Sequence, residues 1–197
     1  MKIVNHIIMS IVFMLPVMVN AQKKIPLKFS FLNQQINLPG LKSYGNYYGY
    51  GFSTGTEFKY LSKKRTELSQ SADFSLFTHS SYGTSFLLSS MLDFRLKINK
   101  LNFDFKLGPG YMLFNNYSPT YRLVDGRYIK DSKLQNMIAF LGSFSISYQI
   151  NRFKPFISYG LMVESPFIQN SSKILPRQLA ELGLYFNINR QSKQSKN

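Results

Sequence analysis

The sequence predicts an all-β fold: a closed, eight-stranded, antiparallel, up-and-down barrel. Three observations carry that reading. Side-chain character alternates with period two from Leu27 to Ile188, the alternating segments number eight, and their connections are by turns short and mostly longer. Period two marks strands whose two faces meet different surroundings. An even number of strands with alternating connections closes with both termini at the rim that carries the short turns.

The segments follow in order. Leu27, Phe29 and Phe31 alternate with Lys28 and Ser30. Tyr48 to Tyr60 sets Tyr50, Phe52 and Phe58 against Gly49, Gly51, Ser53, Gly55, Glu57 and Lys59. Leu68, Ala72, Phe74 and Leu76 oppose Ser69, Ser71, Asp73 and Ser75. Phe86, Leu88, Leu92, Phe94 and Leu96 oppose Ser85, Ser89, Asp93, Arg95 and Lys97. Leu101, Phe103, Phe105 and Leu107 oppose Asn102, Asp104, Lys106 and Gly108. Ile138, Phe140, Phe144, Ile146 and Tyr148 oppose Ser143, Ser145 and Ser147. Ile157, Tyr159, Leu161 and Val163 oppose Ser158, Gly160 and Glu164, and Leu182, Leu184, Phe186 and Ile188 oppose Glu181, Gly183 and Asn187. Ser62–Arg65, Asn99-Lys100 and Asn151–Lys154 are the short connections; Asn33–Tyr47, His79–Gly83, Asn115–Gln135 and Ser165–Arg177 are the others. Within Asn115–Gln135, Tyr121 to Val124, Asp125-Gly126 and Arg127 to Ile129 read as a hairpin with an Asp-Gly turn, in which the flanking strands continue as a flap. Pro109 falls mid-strand on the apolar face, where a missing N–H predicts a bulge or bend.

Composition narrows the class. The chain of 197 residues allows one domain, and 44% hydrophobic residues exclude a disordered chain. It has no Cys, which removes disulfides, thiolate metal sites and a cysteine nucleophile. Met1 to Ala21 reads as a secretory signal peptide cleaved after Ala21: Lys2, then an apolar run from Ile7 to Val19, then Val19-Asn20-Ala21. That run is too short for a comfortable bilayer helix, which needs about 20 residues. The expected organisation is residues 1–21 as signal, 22–190 as barrel and 191–197 as a polar tail. Beyond Ala21, 23 Lys and Arg stand against 9 Asp and Glu, a formal charge of +14.

Alternation leaves open which face is the lumen. A soluble lipid-binding barrel puts its apolar residues inside; a membrane barrel puts them outside. Three features favour the transmembrane arrangement. The polar face is rich in Gly and Ser, which fit the narrow interior of eight strands. It also carries six acids (Glu57, Asp73, Asp93, Asp104, Glu164, Glu181) and five bases (Lys28, Lys59, Arg95, Lys97, Lys106), a net charge of −1. Such near-cancellation points to an internal ion-pair network, since an unpaired buried charge is very costly. Finally, the opposite face is almost free of charge. Replacing Asp93 or Arg95 is then expected to destabilise the barrel or open a leak.

With these residues in view, the chain resembles the small eight-stranded outer-membrane β-barrel proteins of Gram-negative bacteria, from Leu27 to Asn189. Its last strand, Glu181 to Ile188, resembles the closing strand that the assembly machinery of such barrels reads. The resemblance implies an outer-membrane location, short turns in the periplasm and longer loops outside. Members of that family are structural barrels, adhesion or defence proteins, narrow channels and, in some cases, lipid-modifying enzymes, so the fold selects no function.

Candidate chemistry is sparse. His79 is the one histidine beyond Ala21, and His79-Ser80-Ser81 resembles the catalytic pair of outer-membrane lipid A deacylases. A triad also needs a carboxylate within reach of the imidazole. Asp93 lies about ten residues below the hairpin tip, over 20 Å away at about 3.3 Å per residue. No catalytic residue, metal site or cofactor is therefore expected. Basic residues in the outer connections (Lys42, Arg122, Arg127, Lys130, Lys133, Lys173, Arg177) suit the phosphates of lipopolysaccharide, or a solvated loop. Tyr117, Tyr121, Arg122, Arg127 and Tyr128 are the residue types of an interface and mark where an outer-membrane protein partner would dock. Bases spread over two rims do not make a nucleic-acid groove. A non-enzymatic structural, binding or accessory barrel is the expected function, with a narrow channel for small solutes as the alternative.

Overall fold

The computed structural model describes residues 24–35, 48–79, 83–118, 121–124, 126–130, 132–165 and 175–189. The proposed signal peptide and tail fall outside them. Ten strands are present: β1 (Lys24–Gln35), β2 (Tyr48–Ser62), β3 (Thr66–His79), β4 (Gly83–Ile98), β5 (Leu101–Asn116), β6 (Tyr121–Val124), β7 (Arg127–Lys130), β8 (Leu134–Tyr148), β9 (Phe153–Ser165) and β10 (Leu175–Asn189). Eight of them close a barrel in the order β1-β10-β9-β8-β5-β4-β3-β2. Every neighbouring pair is antiparallel, and the seam joins β1 to β10 from Lys24↔Asn189 to Gln35↔Gln178. Closure removes the free edges that an open sheet would expose to lipid.

Two turns show how the sequence makes the short rim. Asn99 and Asn151 lie at φ 56 and 51, the left-handed region that asparagine tolerates better than most residues. Ile98↔Leu101 closes a two-residue connection. The other rim is less uniform than the sequence implies. Only three residues, 80–82, separate β3 from β4, within the two to four that separate the strands at the opposite rim. The hairpin is present as β6 and β7, with Val124 paired to Arg127 and Gly126 at φ 74. It is a separate two-stranded sheet, however, rather than a continuation of the barrel strands.

The wall has two faces. Outward residues such as Phe52, Phe94, Phe105, Phe140, Ile157 and Leu182 are exposed, while the charges alternating with them are buried. An apolar exterior around a charged interior makes this a transmembrane wall. Strands of 12 to 16 residues exceed the ~9–11 that cross the hydrocarbon when tilted. Tyr50 and Tyr117 lie near one end of the exposed band, Tyr60 and Tyr148 near the other, as interfacial aromatics do.

One local expectation is corrected. There is no bulge at Pro109. The β4–β5 ladder omits Ser90 and Met91 opposite Gly108 and Pro109, then resumes in the same register from Leu92↔Leu107. Proline has no N–H to donate, so the ladder skips it without an inserted residue. The register shift is instead in β2, between Lys59 and Leu61. Tyr185, an aromatic near the end of β10, is buried in the lumen rather than set at the membrane interface. The glycines of β2 are required by close contact with β3. A Cβ on Gly51 would lie 2.1 Å from the Leu76 carbonyl oxygen and 2.6 Å from the Phe77 Cα, and one on Gly55 would lie 2.2 Å from Asp73 Oδ1. The Leu76 and Phe77 neighbours of Gly51 are backbone and cannot swing away. Gly51→Ala should therefore cost about 1–3 kcal/mol, the usual range for overpacking, read from urea unfolding in vesicles; an unchanged midpoint would contradict it.

The lumen as candidate functional site

Inward positions near the short turns build a cluster around one guanidinium. Arg95 on β4 reaches Asp104 Oδ1 through Nε at 2.5 Å and Glu67 Oε1 through Nη1 at 2.6 Å. Its Nη2 donates to Glu57 at 3.0 Å and to Asp93 Oδ2 at 3.1 Å. Four carboxylates from β2, β3, β4 and β5 thus converge on one planar donor, which suits the fixed fork of arginine. Lys106 on β5 lies 3.2 Å from Glu57 and 3.7 Å from Asp93, and donates to the Tyr185 hydroxyl at 2.7 Å. Lys154 adds 3.9 Å to Glu57 and sits 4.1 Å from the centre of the Tyr185 ring. At the rim, Lys59 and Lys97 hold Glu67 at 3.1 and 2.5 Å.

A second group lies further along the barrel. Lys28 on β1 bridges Asp73 at 3.1 Å and Glu181 at 2.7 Å, and Ser30 donates to Glu181. A third pair, Glu164 and Arg177 at 2.6 Å, occupies the opposite end, where the Arg177 guanidinium lies 5.7 Å from the Phe114 ring centre.

All eleven lumen residues named from the sequence have ion-pair partners, in three separate groups rather than one network. The parity reading left out four members of these groups. Glu67 stands just before Leu68 and Ser69, where the alternating pattern of its segment starts. By sequence Lys154 falls in a short connection and Arg177 in a longer one, yet both point inward and are buried. Tyr185 is the fourth. With these included, seven acids (Glu57, Glu67, Asp73, Asp93, Asp104, Glu164, Glu181) face seven bases (Lys28, Lys59, Arg95, Lys97, Lys106, Lys154, Arg177). Seven of the chain's nine acidic residues are therefore inside the barrel and matched in number.

Between the second and third groups the lumen is apolar. Phe77, Leu87, Met112, Phe114, Met137 and Met162 pack there in one buried cluster that also includes Leu32, Met91, Ala139 and Leu141. All four methionines beyond residue 21 belong to it. Methionine's unbranched, adaptable side chain suits an irregular interior. Where the apolar cluster meets Lys28, Asp73 and Glu181 there is a cavity of about 40 Å³.

His79 is the residue that tests the enzyme expectation. Its side chain faces the lumen and is 1% exposed, so the wall separates the imidazole from lipid. Asp93, the acid considered as its partner, is engaged by Arg95 and Lys106; Ser80 and Ser81 lie outside the described residues. Of the candidate interface residues, Tyr117 is tied to the barrel rim, its hydroxyl 2.8 Å from Thr78 and 3.0 Å from Thr84. Tyr121 and Arg127 on the β6–β7 hairpin are exposed. The side chains of Arg122 and Tyr128 lie outside the described residues. Among those residues, no group of three or more His, Cys, Asp or Glu side chains is arranged to hold a metal ion.

Among solved structures, Ail, the attachment invasion locus protein of Yersinia pestis, superposes with a TM-score of 0.50 over 85% of this chain and 99% of that one. The fold is that of the small eight-stranded outer-membrane barrels. The sequence identity to Ail is 12%. Neisserial surface protein A is also similar, at 10% identity over 84% of this chain and 96% of that one, with a TM-score of 0.47. The outer-membrane enzyme PagL is similar at 8% identity over 84% and 99%, with a TM-score of 0.46. No protein-family model and no curated protein sequence matches the chain. What the likeness to Ail establishes is the fold, and a fold by itself assigns no role.

Proposed function

We propose that this chain is a non-enzymatic barrel of the bacterial outer membrane, exported by a signal peptide cleaved after Ala21, whose lumen is sealed and whose activity resides in the surfaces it presents. The short turns face the periplasm and the β6–β7 hairpin faces outward, available to lipopolysaccharide or to a protein partner. The observation that carries this reading is the filled lumen: matched ion pairs at both ends, an apolar cluster between them, and a cavity of about 40 Å³ at its edge. Space of that size holds a few waters at most, so it supports a plugged interior over a channel for small solutes. The inward, buried His79 supports a non-enzymatic role, because a deacylase must present its imidazole to lipid.

The test is reconstitution of the intact barrel in planar bilayers, together with incubation in lipid A micelles. We expect no unitary conductance steps and unmodified lipid A. Steady solute-conducting steps would overturn the sealed-lumen reading, and release of a fatty acid from lipid A that stops on His79→Ala would overturn the non-enzymatic one.

A further inference from the structure

Among the described residues, the exposed charge at the short-turn rim gathers on the β2–β5 side. Lys63, Lys64 and Arg65 in the β2–β3 turn and Lys100 in the β4–β5 turn are all exposed. Strand pairing sets the two turns side by side: Thr66 pairs with Leu96, and the Lys97 N–H donates to the Arg65 carbonyl at 2.7 Å. The nearest acid, Glu67, is buried and already holds Arg95, Lys59 and Lys97, so it does not neutralise the patch. The third short turn offers much less. Arg152 is exposed there, but Lys154, two residues on, turns into the lumen.

The patch also has a defined depth. Exposed Tyr60, Leu61, Leu96 and Ile98 end the apolar band, and the four cations follow within about five residues, as the strands leave the hydrocarbon. Cations at that level sit among phospholipid headgroups, their stems along the wall and their charges at the phosphates. A binding face for a soluble polymer would instead project beyond the membrane edge.

We propose that Lys63, Lys64, Arg65 and Lys100 form a site for anionic phospholipid in the leaflet on the short-turn side, binding headgroup phosphate on the β2–β5 side of the barrel. The proposal rests on the membrane reading above, and the experiment separates the two. The chain is reconstituted into vesicles of phosphatidylcholine alone and of equal parts phosphatidylcholine and phosphatidylglycerol. It is then extracted mildly, and the lipids it retains are weighed by native mass spectrometry. Wild-type protein should retain phosphatidylglycerol preferentially, each charge contributing about five-fold at low salt, and the preference should shrink as salt screens it. The variant K63Q/K64Q/R65Q/K100Q should insert and show the same heat-dependent gel migration while losing most of that preference. K64Q and K100Q alone should lose part of it, which keeps the test open if the quadruple variant folds poorly. Failure to insert into either vesicle would defeat the membrane reading. Insertion with equal retention by wild type and variant would defeat the lipid site alone. Loss of polyglutamate binding in the variant, with phosphatidylglycerol retention unchanged, would also defeat it by identifying an acidic polymer as the partner.

Discussion

Replacing Arg95 with Met should destabilise the barrel by about 3–5 kcal/mol, the usual cost of removing one partner from a buried ion pair. Equilibrium urea unfolding in vesicles, followed by the heat-dependent gel shift of folded barrels, measures it. The guanidinium holds Glu57, Glu67, Asp93 and Asp104 at once. Its loss strands these carboxylates unequally. Glu67 keeps Lys59 and Lys97, and Glu57 keeps Lys106 and Lys154. Asp104 has no second cation within ion-pair distance among the described residues, and retains the Ser145 hydroxyl at 3.4 Å. Two companion variants make the result diagnostic. Arg95→Lys should recover little, because one ammonium cannot reach four carboxylates as a planar fork does. Adding Asp104→Asn to Arg95→Met should recover part of the loss, since it removes the charge left least compensated. A loss below about 1 kcal/mol, small beside the usual cost, or no rescue by Asp104→Asn, would show that the cluster does not stabilise the fold.

The strands were legible in the sequence because period two survives nearly every substitution that keeps a lipid-facing residue apolar. The hairpin at Asp125-Gly126 was legible for a local reason: a two-residue turn needs positive φ, and Gly126 supplies it. Parity was the better guide to the lumen, and it failed where it was abandoned at strand ends. Lys154 shares the parity of Ser158 and Gly160, Arg177 that of Glu181, Glu67 that of Ser69, and Tyr185 that of Gly183. Strict alternation therefore places all four inside, whatever their charge or aromatic character suggests. The apolar cluster was hidden for another reason. In Phe86-Leu87-Leu88 and Met137 to Leu141 both faces are apolar, so hydrophobicity does not tell a lumen leucine from a lipid-facing one. The gap in the ladder at Pro109 depends on the partner strand, which a local pattern does not contain.

Conductance should appear when the apolar cluster is thinned and not when the Arg95 cluster is broken. The two groups lie at different heights: Arg95 pairs with Glu67 and Asp104 near the short turns, whereas Met112 pairs with Met137 close to the other rim. An ion crossing the lumen must pass both. Loss of Arg95 leaves a polar gap backed by Phe77, Leu87, Met112, Met137 and Met162, and a narrow apolar constriction resists wetting. The leak expected from the sequence on replacing Arg95 is therefore not expected from the structure. Phe77→Ser with Met112→Ser does the reverse: it puts hydroxyls and space beside the 40 Å³ cavity at Lys28 and Asp73 and joins it toward the Glu164–Arg177 end. Large-to-small changes of this kind cost about 3–5 kcal/mol for phenylalanine and about 2–5 kcal/mol for methionine, so gel migration must first show that the variant is folded. Single-channel recording then decides. Unitary steps from the Phe77/Met112 variant, with none from Arg95→Met, place the seal in the apolar cluster. Steps from Arg95→Met, or a silent but folded Phe77/Met112 variant, place it in the ion pairs instead.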